Sequence, residues 1–236
     1  MVPLPERLRG KFIVFDGPDG GGKSTQIERV VRLLDGHGVP VARAKDPGGT
    51  PIGDRIRHVL LDFDLSEMDV RCETLLFMAS RAQLVGRVIE PALRRGEAVI
   101  CDRFVSATCA YQGAAGYDMG QIIELARFAI GRTWPDVTIV VDVPPELGFQ
   151  RTGRPVGAGR SSVRENGQRM IFHDAHVDAM EARPLAFHRR VRTLFTELGN
   201  VYPRPVRVVD GTADVEVVHQ RVLEALDSVL STAGLE

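Results

Sequence analysis

An α/β fold, with a parallel sheet covered by helices on both faces, is predicted by three features of the 236-residue sequence. Short apolar runs alternate with stretches of helical periodicity along the chain. The runs at 12–15, 98–101 and 137–143 are apolar without alternation, as in strands buried on both faces. The first run passes directly into a glycine-rich turn and then a helical pattern, which is the beginning of a phosphate-binding βα unit.

In chain order, residues 1–10 are polar, hold two prolines and lack an apolar signal region, so they read as a short disordered lead before one domain at 11–232. A strand is expected at 12–15. The helix at 24–34 places Ile27, Val30, Val31 and Leu34 on one face and stops at Gly36 and Gly38. A second strand follows at 39–44. A helix at 52–61 points Ile56, Val59 and Leu60 inward, and a long helical stretch covers 70–95 with Pro91 near its end. The third strand is 98–101, followed by a helix at 120–130 and a fourth strand at 137–143. A helix at 145–152 starts on Pro145, where the missing N–H costs nothing. Residues 153–169 mix four glycines with Arg154, Arg160, Arg164 and Arg169 and read as a mobile loop. Helix is expected over 171–198, bent or broken near Pro184. A fifth strand at 206–209 and a closing helix at 215–230 complete a three-layer sandwich whose ligands bind beyond the carboxyl ends of the strands.

Composition narrows the function classes. With 44% hydrophobic and 26% charged residues the chain is ordinary for a globular protein, and a formal net charge of −1 supplies no global field for nucleic acid or membrane. No apolar stretch is long enough to span a bilayer. Cys72, Cys101 and Cys109 have neither C-x-x-C nor zinc spacing; Cys101 sits in an apolar run and reads as a buried thiol, as suits a reducing cytoplasm.

Gly17, Gly22, Lys23 and Ser24 fit G-x-x-x-x-G-K-[ST] between a strand and a helix, the context that makes the pattern a P-loop. Gly20, Gly21 and Gly22 let backbone N–H groups approach a polyphosphate, and the helix opening at Lys23 and Thr25 adds its free N–H groups and dipole. Lys23 is placed to reach the β and γ phosphates of a nucleoside triphosphate, with Ser24 on Mg2+. Pro18 and Asp19 lie inside the loop. Asp102 ends the third strand, the usual place for a carboxylate of the magnesium shell, and Arg103 beside it suits a phosphate oxygen; the other reading of the two is a surface ion pair. Phe77 and Arg81 share a helix face at i, i+4. They fit either a base-stacking ring with a guanidinium on the base edge, or a core phenylalanine with a solvated arginine.

Four blocks then stand in register: 15–26 (Phe-Asp-Gly-Pro-Asp-Gly-Gly-Gly-Lys-Ser-Thr-Gln), 46–50 (Asp-Pro-Gly-Gly-Thr), 75–83 (Leu-Leu-Phe-Met-Ala-Ser-Arg-Ala-Gln), and Asp102-Arg103-Phe104 followed by Ala110-Tyr111-Gln112-Gly113. In order and spacing they resemble bacterial thymidylate kinase, a P-loop nucleoside monophosphate kinase. The resemblance implies Mg2+-dependent transfer of the ATP γ-phosphoryl group to dTMP by a cytoplasmic homodimer. It places Asp19 near the sugar and acceptor phosphate, Phe77 on thymine and Arg81 on its edge. Arg103 falls on the acceptor phosphate, Tyr111 against the sugar C2′ and Gln112 on the nucleoside, while the acceptor contact usual at position 107 is lost at Ala107 or passes to Ser106 or Thr108. Asp102 reaches the metal through water, residues 153–169 resemble a lid closing over ATP with Arg151 and Arg154 near it, and Asp210-Gly211-Thr212 resembles the adenine-side loop. The sequence departs from the family pattern at Lys45-Asp46, at Ala107 and at Gly116-Tyr117. Gly20 stands where some members have an arginine, which moves the catalytic arginine to the lid, with Arg154 one of four candidates there. Two rivals stay open: a kinase for another pyrimidine deoxynucleotide, and a nucleotide-binding regulator that has lost turnover.

Overall fold

A computed structural model describes residues 2–61, 68–154, 180 and 183–232. Five strands, β1 (Phe12–Asp16), β2 (Val41–Lys45), β3 (Ala98–Asp102), β4 (Val137–Asp142) and β5 (Val206–Asp210), pair in parallel in the order β2-β3-β1-β4-β5. The three interior strands are buried nearly throughout, which is why their sequences are unbroken apolar runs. Edge strands β2 and β5 are partly exposed.

One face of the sheet presents Ile13, Phe15, Ile100, Ile139 and Val141 to α2 (Lys23–Gly36) and α10 (Val215–Thr232). The other presents Phe12, Val14, Val99 and Cys101 to α4 (Val70–Leu84), α6 (Val105–Ala114) and α7 (Met119–Ile130). A third cluster joins Val140 to Tyr111 of α6 and to Phe187, Val191 and Phe195 of α9 (Leu185–Glu197), and forms the floor beneath the cleft.

Residues 4–10 are not the disordered lead that their polarity implies. Leu4–Arg7 form a helical turn, α1, Leu8 is fully buried against α2 and α10, and Arg7 pairs with Asp227. One buried leucine contributes about 1.5–3 kcal/mol, enough to order so short a segment. Helix α3 (Pro51–Leu61) turns Ile56 and Leu60 inward, but Val59 is exposed, one position outside the apolar stripe. The long stretch at 70–95 widens into a π turn at Val85–Ile89 before α5 (Glu90–Arg94). Pro91 lacks an N–H and its ring crowds the preceding turn, which accounts for the local change of ladder. Helix α6 was missed by periodicity because it is buried nearly all round and so has no polar face. Pro184 is the N-cap of α9, so the helix begins there. Of the helix expected at 171–198, residues 171–179 and 181–182 lie outside the described residues, as does the expected lid beyond Arg154.

Candidate active site

The P-loop runs from β1 into α2. Gly22 caps α2 with a left-handed backbone, no side chain caps the helix, and no acid occupies its first turn. Its N–H groups and dipole therefore face the cleft unopposed. Gly20 has φ +72°, and a Cβ there would stand 2.3 Å from the carbonyl oxygen of Gly148 in α8 (Pro145–Arg151). Only glycine fits this contact, which excludes an arginine at position 20. Buried Lys23 donates from Nζ to the carbonyls of Gly17 (3.1 Å) and Pro18 (2.8 Å). Burial, and then the charge of Arg103, pull its pKa down to about 8.

Arg103 is the hub facing the loop. It is the one non-glycine residue with positive φ (66°) among the described residues. Such a backbone costs roughly 1–3 kcal/mol and persists where surroundings enforce it. Here its N–H donates to Phe15 O at 2.9 Å. Nη1 donates to Asp16 Oδ1 (3.0 Å) and Gly17 O (3.1 Å); Nη2 donates to Asp19 Oδ1 (2.5 Å) and Tyr111 Oη (3.3 Å). Asp16 is fully buried and also accepts from Ser106 Oγ at 2.6 Å. Burial raises the Asp19 carboxyl, but the Arg103 and Lys23 charges outweigh it and leave its pKa below the ordinary carboxylate value. The ion pairs of Arg103 go to Asp16 and Asp19, so the reading of Asp102-Arg103 as a surface pair does not hold. Half-buried Asp102 lines the cleft with Ser24. A hydroxyl and a carboxylate are hard oxygen donors, and no group of three His, Cys, Asp or Glu gathers among the described residues. Mg2+, which keeps several waters and takes the rest of its shell from phosphate, fits so sparse a donor set.

Across the cleft, Phe77, Arg81, Thr108, Tyr111 and Gln112 come together in its lining. Arg81 is not solvated: it is 1% exposed and donates from Nε to Asp46 Oδ2 at 2.7 Å. Its Nη2 donates to Phe104 O and Thr108 Oγ1, each at 3.0 Å, and Nη1 to Met78 Sδ at 3.2 Å. Of five N–H groups, one remains for a ligand. Gln112 donates from Nε2 to Glu73 Oε1 at 3.0 Å.

On the far side of the loop, Asp210 Oδ1 accepts from Thr212 N (2.9 Å) and Oγ1 (2.7 Å), folding 210–212 into a tight turn. Arg151 bridges this turn to the P-loop, donating to Gly211 O at 3.0 Å and Gly20 O at 3.4 Å. Arg154 points the other way, over the Phe149 ring and 3.7 Å from Asp19 Oδ2, with Nη2 3.3 Å from His188 Nε2. Arg160 and Arg164 lie outside the described residues.

Sequence reading missed Asp16, Asp46, Glu73, Arg183 and His188. His188 is 4% exposed and stands beside Arg154. Asp46 counted only as a departure from a family pattern, although an acid directly after a strand in this fold points into the cleft.

A P-loop whose lysine faces an arginine–carboxylate cluster, with a separate aromatic cleft beyond the strand ends, defines a P-loop nucleoside monophosphate kinase. The chain belongs to the thymidylate kinase family, whose model matches residues 15–222. It is 38% identical over 232 residues to a thymidylate kinase of Herpetosiphon aurantiacus, covering 94% of this chain and 97% of the relative. It is 38% identical over 230 residues to one from Exiguobacterium sp. (97% and 100%) and 40% identical over 223 residues to one from Nitratidesulfovibrio vulgaris (93% and 97%).

Proposed function

We propose that the protein transfers the γ-phosphoryl group of ATP to dTMP, giving dTDP and ADP. The observation that supports this most is the position of Arg103 and Asp19 between the P-loop and the aromatic cleft. A triphosphate on Gly17–Thr25 and a monophosphate on Arg103 then meet end to end. The acceptor is already an anion, so positioning and charge neutralisation do most of the catalysis. Lys23 leaves the Gly17 and Pro18 carbonyls for phosphate oxygens. Arg103 redirects donors from Asp19 to the acceptor phosphate. Arg154 brings a guanidinium to the transferring group. Ser24 would hold Mg2+, with Asp102 acting through water, and the ion would neutralise phosphate charge. Phe77 stacks on the base, Arg81 gives its remaining N–H to a base carbonyl, and Tyr111 stands where a ribose 2′-hydroxyl would go. The 210–212 turn and Arg151 frame the adenine side.

The protein works as a homodimer in a reducing cytoplasm. Phe128 is 92% exposed on α7 and Leu75 54% exposed on α4, two helices that pack together, and all three cysteines are free thiols. No described helix is long and apolar enough to cross a membrane.

The test is coupled ADP release with ATP, Mg2+ and dTMP, dUMP, dCMP, UMP, CMP, dGMP or AMP. Strong preference for dTMP is expected. Preference for another acceptor overturns the substrate, and ATP binding without turnover on any acceptor overturns the activity.

A further inference from the structure

Glu73 belongs to neither the phosphate site nor the residues that line the cleft, yet it is a buried carboxylate bonded to Gln112, which does line it. It sits in the first turn of α4, one helical turn before Phe77, with its side chain 5% exposed. Arg183, which directly precedes the N-cap of α9, donates from Nη2 to both Glu73 oxygens at 3.0 Å and stacks over the Phe187 ring. Gln112 donates from Nε2 to Glu73 Oε1 at 3.0 Å.

We propose that Glu73 is a positioning residue that sets base selectivity by fixing which end of the Gln112 amide faces the cleft. A carboxylate paired with a guanidinium only accepts hydrogen bonds. The amide nitrogen of Gln112 must therefore turn toward Glu73, and the amide cannot flip without placing two acceptors against each other. Its Oε1 is left as an acceptor, and no donor among the described residues reaches it. Gln112 itself lines the cleft beside Arg81 and Thr108.

The base edge thus meets one acceptor, from Gln112, and one donor, the N–H that Arg81 has left. A pyrimidine with a ring N–H between two carbonyls matches both. Cytosine, with a bare ring nitrogen and an exocyclic amine, opposes both. Selectivity for the imide edge follows from a carboxylate that never touches the base. This inference rests on the reading of the acceptor as dTMP.

Initial rates with ATP and either dTMP or dCMP are compared for the full chain, Glu73→Gln, Gln112→Leu and the double variant. Glu73→Gln makes the partner of Gln112 a group that both donates and accepts, so the amide is no longer fixed. In Glu73→Gln the KM for dTMP is expected to rise about tenfold, with kcat and the KM for ATP nearly unchanged. The dTMP:dCMP ratio of kcat/KM is expected to fall about tenfold or more. In the Gln112→Leu background, Glu73→Gln should change that ratio no further. A structural role alone would lower both acceptors equally, so an unchanged ratio overturns the proposal, as does a further fall in the Gln112→Leu background. If Glu73→Gln alone does not fold, Glu73→Gln/Arg183→Gln removes both charges of the pair together and is read by the same ratio. A wild-type chain without preference for dTMP refutes the acceptor reading, and Glu73 falls with it. A dTMP-selective wild type with an unaltered Glu73→Gln ratio refutes the role of Glu73 alone.

Discussion

Arg103 Nη2 stands 2.5 Å from Asp19 Oδ1, while the other oxygen of Asp19, which accepts no hydrogen bond among the described residues, lies 3.7 Å from Arg154 Nη1. One carboxylate therefore holds two guanidiniums at the border between the P-loop and the acceptor cleft. Two predictions come from its two sides.

On the acceptor side, Arg103→Lys keeps the charge that neutralises Asp16 and Asp19 but loses the planar fork that reaches Asp16, Gly17, Asp19 and Tyr111 together. The variant should fold and bind ATP, with kcat/KM for dTMP lowered by about 10²–10³, the scale of losing one preorganised donor. Arg103→Ala should in addition lose about 3–5 kcal/mol of stability, because it leaves a buried carboxylate without its cation. Steady-state kinetics and thermal melts separate the two. Lysine turnover equal to wild type would refute the role of the fork.

The contact of Gly20 with Gly148 predicts intolerance on both sides. A Cβ on Gly20 would lie 2.3 Å from Gly148 O, and one on Gly148 would lie 2.1 Å from Asp19 O. Gly20→Ala and Gly148→Ala should each cost about 1–3 kcal/mol and weaken ATP binding, since relief requires the loop to move. Gly20→Arg should be inactive rather than gain an alternative catalytic arginine. Melting curves with and without ATP read both effects, and an unshifted midpoint in either alanine variant would exclude the close approach.

Burial, and next Arg103, lower the Lys23 pKa to about 8 from its ordinary 10.5. Its positive charge is fully present well below pH 8 and is lost as pH rises through it. ATP affinity should therefore be flat below about pH 7.5 and fall toward tenfold per pH unit above 8, because binding the polyphosphate takes up a proton. Stability responds with the opposite sign. The folded state binds fewer protons than the unfolded state between about 8 and 10.5, so the contribution of Lys23 rises with pH across that window. Lys23→Met should remove the steep limb of the affinity profile. Titration calorimetry from pH 6.5 to 9.5 is the measurement.

How much of this was legible in the sequence depends on range. The P-loop is contiguous, so its spacing was legible; Phe77 and Arg81 are one helical turn apart, but spacing left two readings of them open and the family resemblance carried the one with a base. Strands β1, β3 and β4 were legible because they are buried on both faces. Arg81 with Asp46, 35 residues apart, and Arg183 with Glu73, 110 apart, were not, because pairing across the fold leaves no local pattern. Helix α6, which supplies Ser106, Thr108, Tyr111 and Gln112, was hidden by its own burial. Gly20 was noticed as a gap in a family pattern; only the carbonyl of Gly148 shows why nothing larger could stand there.

On the donor side of Asp19, Arg151 at the end of α8 and Arg154 just beyond it are in opposite situations, and this separates their roles. Arg151 spends its guanidinium on the carbonyls of Gly20, Gly211 and Thr212. It ties the 210–212 turn to the P-loop and has little left for a phosphate. Arg154 has a buried Nη1 that makes no hydrogen bond among the described residues, is 3.7 Å from Asp19, and is supported by Phe149 and His188. A buried, unspent donor beside the transferring group stabilises charge that develops only in the transition state. Arg154→Ala should therefore lower kcat by about 10³ or more, the range for an arginine finger, with the KM values for ATP and dTMP changed little. Arg151→Ala should raise the KM for ATP and lower the melting temperature, with kcat nearly retained. If the two phenotypes are exchanged, Arg151 is the catalytic arginine and Arg154 the structural one.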